Sequence, residues 1–106
     1  MPPNPKIKPH VMPGAVPTSV SVDATTTVVV AENTKRGGLI MVNDSDETIY
    51  LALGADAVLN KGIRLNAAGG VYEINWTNMT HEAVNAICAS GSKNLTVHES
   101  TLKSPS

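Results

Sequence analysis

Arg36-Gly-Gly-Leu-Ile-Met-Val-Asn43, then Asp44-Ser-Asp-Glu47, then Thr48-Ile-Tyr-Leu-Ala-Leu-Gly54, and further on Lys61-Gly-Ile-Arg-Leu65, Gly69-Gly70 and Val71-Tyr-Glu-Ile74: this stretch decides the fold. Each apolar run is four to eight residues long and is cut by a turn signal, the pattern of antiparallel strands folding back on one another. Leu39–Asn43 is apolar at every position but the last, so it reads as a central strand buried on both faces. Asp44-Ser45-Asp46-Glu47 reads as a hairpin loop, because Asp and Ser side chains bond nearby backbone. In the returning run Ile49, Leu51 and Leu53 share one face, with Tyr50 and Ala52 on the other. Arg64 points outward from Ile63-Arg64-Leu65. Gly37-Gly38 and Gly69-Gly70 read as turn glycines.

Outward from this stretch the same grammar continues. Val20 and Val22 alternate with polar residues, and Thr25–Ala31 is a β-branched run. Asn75–Glu82 reads as a polar loop around Trp76 and Met79. Ala83–Ser90 is apolar on both faces and reads as a core strand, and Leu95–Glu99 alternates as the last strand. About eight strands at intervals of eight to twelve residues, with no amphipathic helix, indicate an all-β fold: a small antiparallel β-sandwich or jelly-roll-like domain. Gly54–Gly62 is a connection.

The chain divides into an extended Pro-rich arm (residues 1–17), the sandwich (18–100) and a flexible C-terminal tail (101–106). Pro2, Pro3, Pro5, Pro9, Pro13 and Pro17 exclude helix and central strand from the arm and favour polyproline-like backbone. Ile7, Val11, Met12 and Val16 are apolar, unlike the residues of a solvated tail, and proline lowers the entropy lost on docking. These four are the expected docking residues, with Lys6 and Lys8 supplying electrostatic positioning.

Composition bounds the function. Phe is absent, and Trp76, Tyr50 and Tyr72 are the only aromatics, so the core must be built from Val, Ile, Leu, Ala and Met. A domain this small buries only about 60% of its unfolded surface. Cys88 is the single cysteine, so no internal disulfide can staple it. Oligomerisation or docking onto a larger body remains as the staple. The net charge of −1 favours neither nucleic acid nor an anionic membrane, and no run reaches the roughly 18 apolar residues of a membrane span. No secretory leader is visible in Met-Pro-Pro-Asn-Pro-Lys.

Candidate chemistry is sparse. Cys88 with His81 or His98 is the only nucleophile pair to consider, but a thiol inside Ala-Ile-Cys-Ala packs as a small hydrophobe. Asn43–Glu47 lacks the glycine and the spacing of a twelve-residue calcium loop. The Gly pairs lack the spacing of phosphate-binding loops. No acid/base pair is recognisable, so no enzyme, no cofactor and no metal site are expected. Trp76, in Asn75-Trp76-Thr77-Asn78, is the one platform for a glycan or an interface.

The segments Arg36–Ile40, Asn43–Leu51, Lys61–Ile74 and Ala86–Gly91 together resemble a group of small β-rich structural proteins of tailed bacteriophages. The resemblance covers residues 18–100 and leaves out the arm. It implies a virion component made in the bacterial cytoplasm. The expected role is that of a capsid decoration, or cement, protein bridging neighbouring major capsid subunits, itself a homo-oligomer, with a trimer as the guess from the habits of decoration proteins. A tail, neck or fibre component and a carbohydrate-binding adhesion module are the alternatives.

Overall fold

The apolar runs form eight strands in the computed structural model, which describes residues 14–103. They are β1 (Ala15–Val22), β2 (Thr27–Val30), β3 (Arg36–Asn43), β4 (Ile49–Leu53), β5 (Ile63–Leu65), β6 (Val71–Ile74), β7 (Val84–Cys88) and β8 (Lys93–Thr101). Among the described residues there is no helix, hence none long and apolar enough to cross a membrane. The strands make two four-stranded antiparallel sheets, ordered β1-β8-β3-β6 and β2-β7-β4-β5. Only β4 and β5 are both consecutive and paired; the other six connections pass from one sheet to the other.

Period-two alternation builds the core between the sheets. Val22, Leu39, Met41, Ile74, Leu95 and Val97 face Val30, Ile49, Leu51, Leu65, Val84, Ala86 and Cys88. All are medium or small side chains, as a chain without phenylalanine requires. Each fully buried Leu or Ile contributes on the order of 1.5–3 kcal/mol.

Three expectations need correction. First, Leu39–Asn43 is not buried on both faces. Leu39, Met41 and Asn43 point inward, but Ile40 is 40% exposed and Val42 is half-buried. The strand is central within its sheet, between β8 and β6, yet among the described residues no layer covers the sheet's outer face. Second, Asp44–Glu47 is not a hairpin loop. It carries the chain from β3 to β4 in the facing sheet, and sheets about 10 Å apart are within reach of so short a link. The buried Asn43 sets its path: its Nδ2 donates to the carbonyls of Glu47 (2.7 Å) and Leu65 (2.9 Å), and its Oδ1 accepts from Ser45 Oγ (2.6 Å). Third, Gly37-Gly38 is not a turn. Both residues lie within β3, where the register against β8 shifts between Arg36 and Gly38, as glycine in a strand often signals.

The domain limits also shift by a few residues. β1 begins at Ala15, so Val16 and Pro17, grouped with the arm by sequence, pair with Glu99 and His98. Pro17 is tolerated because β1 is an edge strand. At the other end Thr101 still pairs with Arg36.

Three crossovers lace one end of the sandwich. The Asn43 and Gly69 backbone amides donate to Gly70 O and Asn43 O (both 2.8 Å), and Ala68 N donates to Ser45 O (2.8 Å). Gly70 is obligatory here, since a Cβ would lie 2.4 Å from Asn66 N. The opposite end is pinned by Arg36, only 1% exposed. Its Nε donates to Glu99 Oε2 (2.7 Å), Nη1 to the carbonyls of Thr80 (2.8 Å) and Glu82 (2.9 Å), and Nη2 to Ala31 O (2.9 Å). One guanidinium thus ties β8, the end of β2 and the loop after β6. That fork of donors is the reason arginine, rather than lysine, suits the position.

Candidate functional site

A groove of about 730 Å³ crosses the outer face of the β1-β8-β3-β6 sheet. Its floor is a transverse row of small residues brought into register by strand pairing: Ala15 opposite Ser100, and Ser100 opposite Gly38. The next row, Pro17, His98, Ile40 and Glu73, stands taller beside it. The missing side chain of Gly38 and the short ones of Ala15 and Ser100 make the depression. Most of the groove surface is apolar, with Glu73, Asn75, His98 and Ser100 as its polar residues. His98 Nε2 lies 3.1 Å from Ala15 O, which holds the ring against β1.

Trp76 closes the β6 end of the groove and is 83% exposed. It sits in a turn that its neighbours hold rigidly. Asn75 Oδ1 accepts from both the backbone amide and the hydroxyl of Thr77. Asn78 Oδ1 accepts from Asn75 N (2.7 Å), Asn78 N donates to Asn75 O (3.1 Å), and Asn78 Nδ2 donates to Glu73 O (3.0 Å). Such Asx interactions favour turns over strand. Here they display an indole in water, where its apolar area stabilises nothing within the described residues. Glu73 makes no ion pair among the described residues.

The other sequence candidates separate cleanly. Lys6, Ile7, Lys8, Val11 and Met12 lie outside the described residues. Val16 is 69% exposed and lines a smaller cavity of about 280 Å³ on the inner side of β1, with Val29 and Val97. Cys88 is buried in the core, its Sγ 3.3 Å from Val22 O, and burial pushes its thiol above the ordinary value. His98 is on the outer sheet face, bonded to Ala15 instead. The acidic stretch forms a latch. Asp46 pairs with Lys93 Nζ (2.7 Å), Glu47 accepts from the Ser90 amide and hydroxyl (both 2.7 Å), and Asp44 Oδ2 accepts from Asn94 Nδ2 (3.3 Å). The Lys93 hydrogen bond holds Asp46, and the Ser90 hydrogen bonds hold Glu47, below their ordinary carboxylate values. Spread over separate partners, these oxygens do not converge on one point.

Sequence reasoning singled out Trp76 but missed the groove beside it. Ala15, Gly38, Ser100, Glu73 and His98 come from four strands, and only the register aligns them. The one local signal was the glycine pair within an apolar run. No family model, no curated protein and no solved structure compared with the chain matches it.

Proposed function

We propose that this chain is a structural protein of a tailed-phage virion, a decoration protein with a jelly-roll body that clamps neighbouring capsid subunits by burying surface and performs no chemistry. The strand orders 1-8-3-6 and 2-7-4-5 support the jelly roll: they are the orders produced when two Greek keys wind into facing sheets. The observation that carries the functional reading is the outer face of the β1-β8-β3-β6 sheet, which no other described residues cover. Ile40 and Trp76 are exposed there and line an apolar groove, and Val71 is exposed on the same strand as Glu73. An exposed apolar groove on a small protein marks an interaction surface, and a body with a single cysteine, hence no internal disulfide, gains stability from the contact. The proline-rich residues ahead of β1 add contact area, and a homotrimer is the assembly proposed for the body. The test is co-sedimentation of the purified chain with capsids lacking decoration, together with its native mass. Absence of the chain from the capsid pellet at any ratio would refute the reading.

The rigid display of Trp76 beside Glu73, Asn75 and His98 favours a second reading, a glycan-binding adhesion site. An aromatic platform flanked by a carboxylate and an amide suits a sugar ring. Glycan-array binding that vanishes in Trp76→Ala would support it; a blank array would dismiss it.

A further inference from the structure

We infer that the groove face of the β1-β8-β3-β6 sheet is a two-fold self-association surface, where a second copy of this chain seats its Trp76 in the small-residue hollow and receives Trp76 in return. The inference stands independently of the virion reading.

The face is poor in charge. Its outward strand positions, the set that includes Ala15, Ile40, Glu73 and His98, are otherwise Pro, Ser, Thr, Asn, Gly and Val, and Glu73 is the single charged residue among them. Depletion of charge marks the core of an interface rather than a solvated sheet face. The other sheet differs. Its outward face carries the exposed Arg64 and is partly roofed by the connection after β4. There Asn85 Nδ2 donates to Ala55 O (2.6 Å), Ala57 N donates to Thr26 Oγ1 (2.8 Å), and Ala57 is buried. The described residues thus roof one outer face in part and leave the other open.

Shape supplies the partner. The hollow of Ala15, Ser100 and Gly38 lies toward β1, and Trp76 stands at the β6 end of the same groove. Consider a two-fold axis in the plane between two such faces, parallel to the strands and midway between β8 and β3. It sets β6 of one copy over β1 of the other and leaves positions along the strands unchanged. Each Trp76 then falls over the partner's Ala15 and Ser100. An isologous contact requires one patch to complement itself, and a knob and a hollow at opposite ends of one groove do so. Gly38 fits this use, since a glycine within a strand often marks the close approach of another chain. In the neighbouring row Ile40 comes to face the partner's His98, and Glu73 the partner's Pro17. The two Glu73 carboxylates are left three strand steps apart, about 14 Å, which exceeds a Debye length of about 8–10 Å.

Area sets the strength. Four strands span about 19 Å and the eight-residue β3 about 26 Å. A flat face of that size is about 500 Å² per copy, or about 1,000 Å² for the pair, at the lower bound of specific interfaces. The pair is therefore weak and reversible. It hides the surface that the capsid reading uses, so the pair is a state of the free chain and parts before docking, and the three-fold assembly belongs to the docked chain.

The experiment is analytical sedimentation of the full chain over a wide dilution series, with Trp76, the sole tryptophan, read by fluorescence on the same samples. The expected result is an equilibrium between one chain and two, with emission blue-shifted in the pair and moving to the red as it parts. Trp76→Ala and Ile40→Asp, both at exposed positions, should each raise the dissociation constant by about thirtyfold or more. Circular dichroism verifies that each variant is folded. Arg64→Glu, on the other sheet, should leave the constant unchanged. A one-chain mass at every concentration would overturn the inference, and so would a pair that both substitutions leave intact. A three-chain mass in the free protein would overturn it equally. Co-sedimentation with capsids is a separate measurement, so the pairing and the virion reading fail independently.

Discussion

Replacing Arg36 by Met should be the most damaging single change outside the aliphatic core. Methionine fills a similar volume but donates nothing. Four acceptors then lose their partners: the carbonyls of Ala31, Thr80 and Glu82, and the Glu99 carboxylate. Glu99 keeps 25% of its side chain in water and can rehydrate, so its share of the loss is discounted. The three carbonyls belong to segments packed around a side chain that is itself fully covered. Removing one partner of a buried charged network costs roughly 3–5 kcal/mol. A domain of this size has about 5–15 kcal/mol in total, so the variant should be marginal at room temperature. Its melting temperature should fall by about 4–8 °C for each kcal/mol lost. Far-ultraviolet circular dichroism during urea unfolding is the suitable assay, since Trp76 stands outside the core and reports poorly on it. Arg36→Lys should recover less than half of the loss, because one ammonium cannot reach acceptors on three separated segments. Glu99→Gln should cost about 1–2 kcal/mol, since it keeps an acceptor and three of the four bonds. The reasoning fails if Arg36→Met loses less than about 1 kcal/mol, for the carbonyls would then have found water or the pin would be redundant.

Three further outcomes follow from particular contacts. Gly70→Ala should destabilise by more than about 3 kcal/mol, because the added methyl would fall 2.4–2.8 Å from Asn66 and Leu65 backbone atoms; a urea midpoint near the parent's would show that the turn yields. Asp46 and Glu47 lie below their ordinary values of 3.8 and 4.5, so their contribution is complete above pH 4.5 and is lost as pH falls through the lowered values; urea midpoints should hold from pH 8 to 5 and drop below pH 4, with a flatter acid limb in Asp46→Asn/Glu47→Gln. Cys88 should resist alkylation in the native chain, since its thiol is covered and its value raised by burial; modification as fast as that of a free thiol, without denaturant, would contradict the packing.

The two ends of the sandwich divide the work. At the laced end, Asn43, the glycine turn and the Asp46–Lys93 and Glu47–Ser90 contacts join three crossovers. At the other end, Arg36 fixes the segment from Thr80 to Glu82, which completes the loop that begins at Asn75 and Trp76. Loss of Arg36 should therefore loosen the loop holding the exposed indole as well as the core. The buried pin is in this sense a positioning element for the groove.

Strand number, strand limits to within a few residues and, among the described residues, the absence of helix were legible because each depends on local alternation and local turn chemistry. Trp76 was legible as a candidate because an aromatic among Asn and Thr is anomalous within its own loop. Sheet membership was not legible. A four-residue acidic link is equally compatible with a hairpin and with a crossover, and only the burial of Asn43 between Glu47 and Leu65 selects the latter. The role of Arg36 was hidden for the same reason: its four acceptors lie 5, 44, 46 and 63 residues away. The groove was hidden too, since its floor exists only where Ala15, Ser100 and Gly38 fall into one register row. Local pattern determines which residues become strands and which side of each strand is apolar. Which strands become neighbours, and which small residues line up to leave a groove, is decided by long-range pairing, whose energy depends on contacts that sequence distance does not reveal.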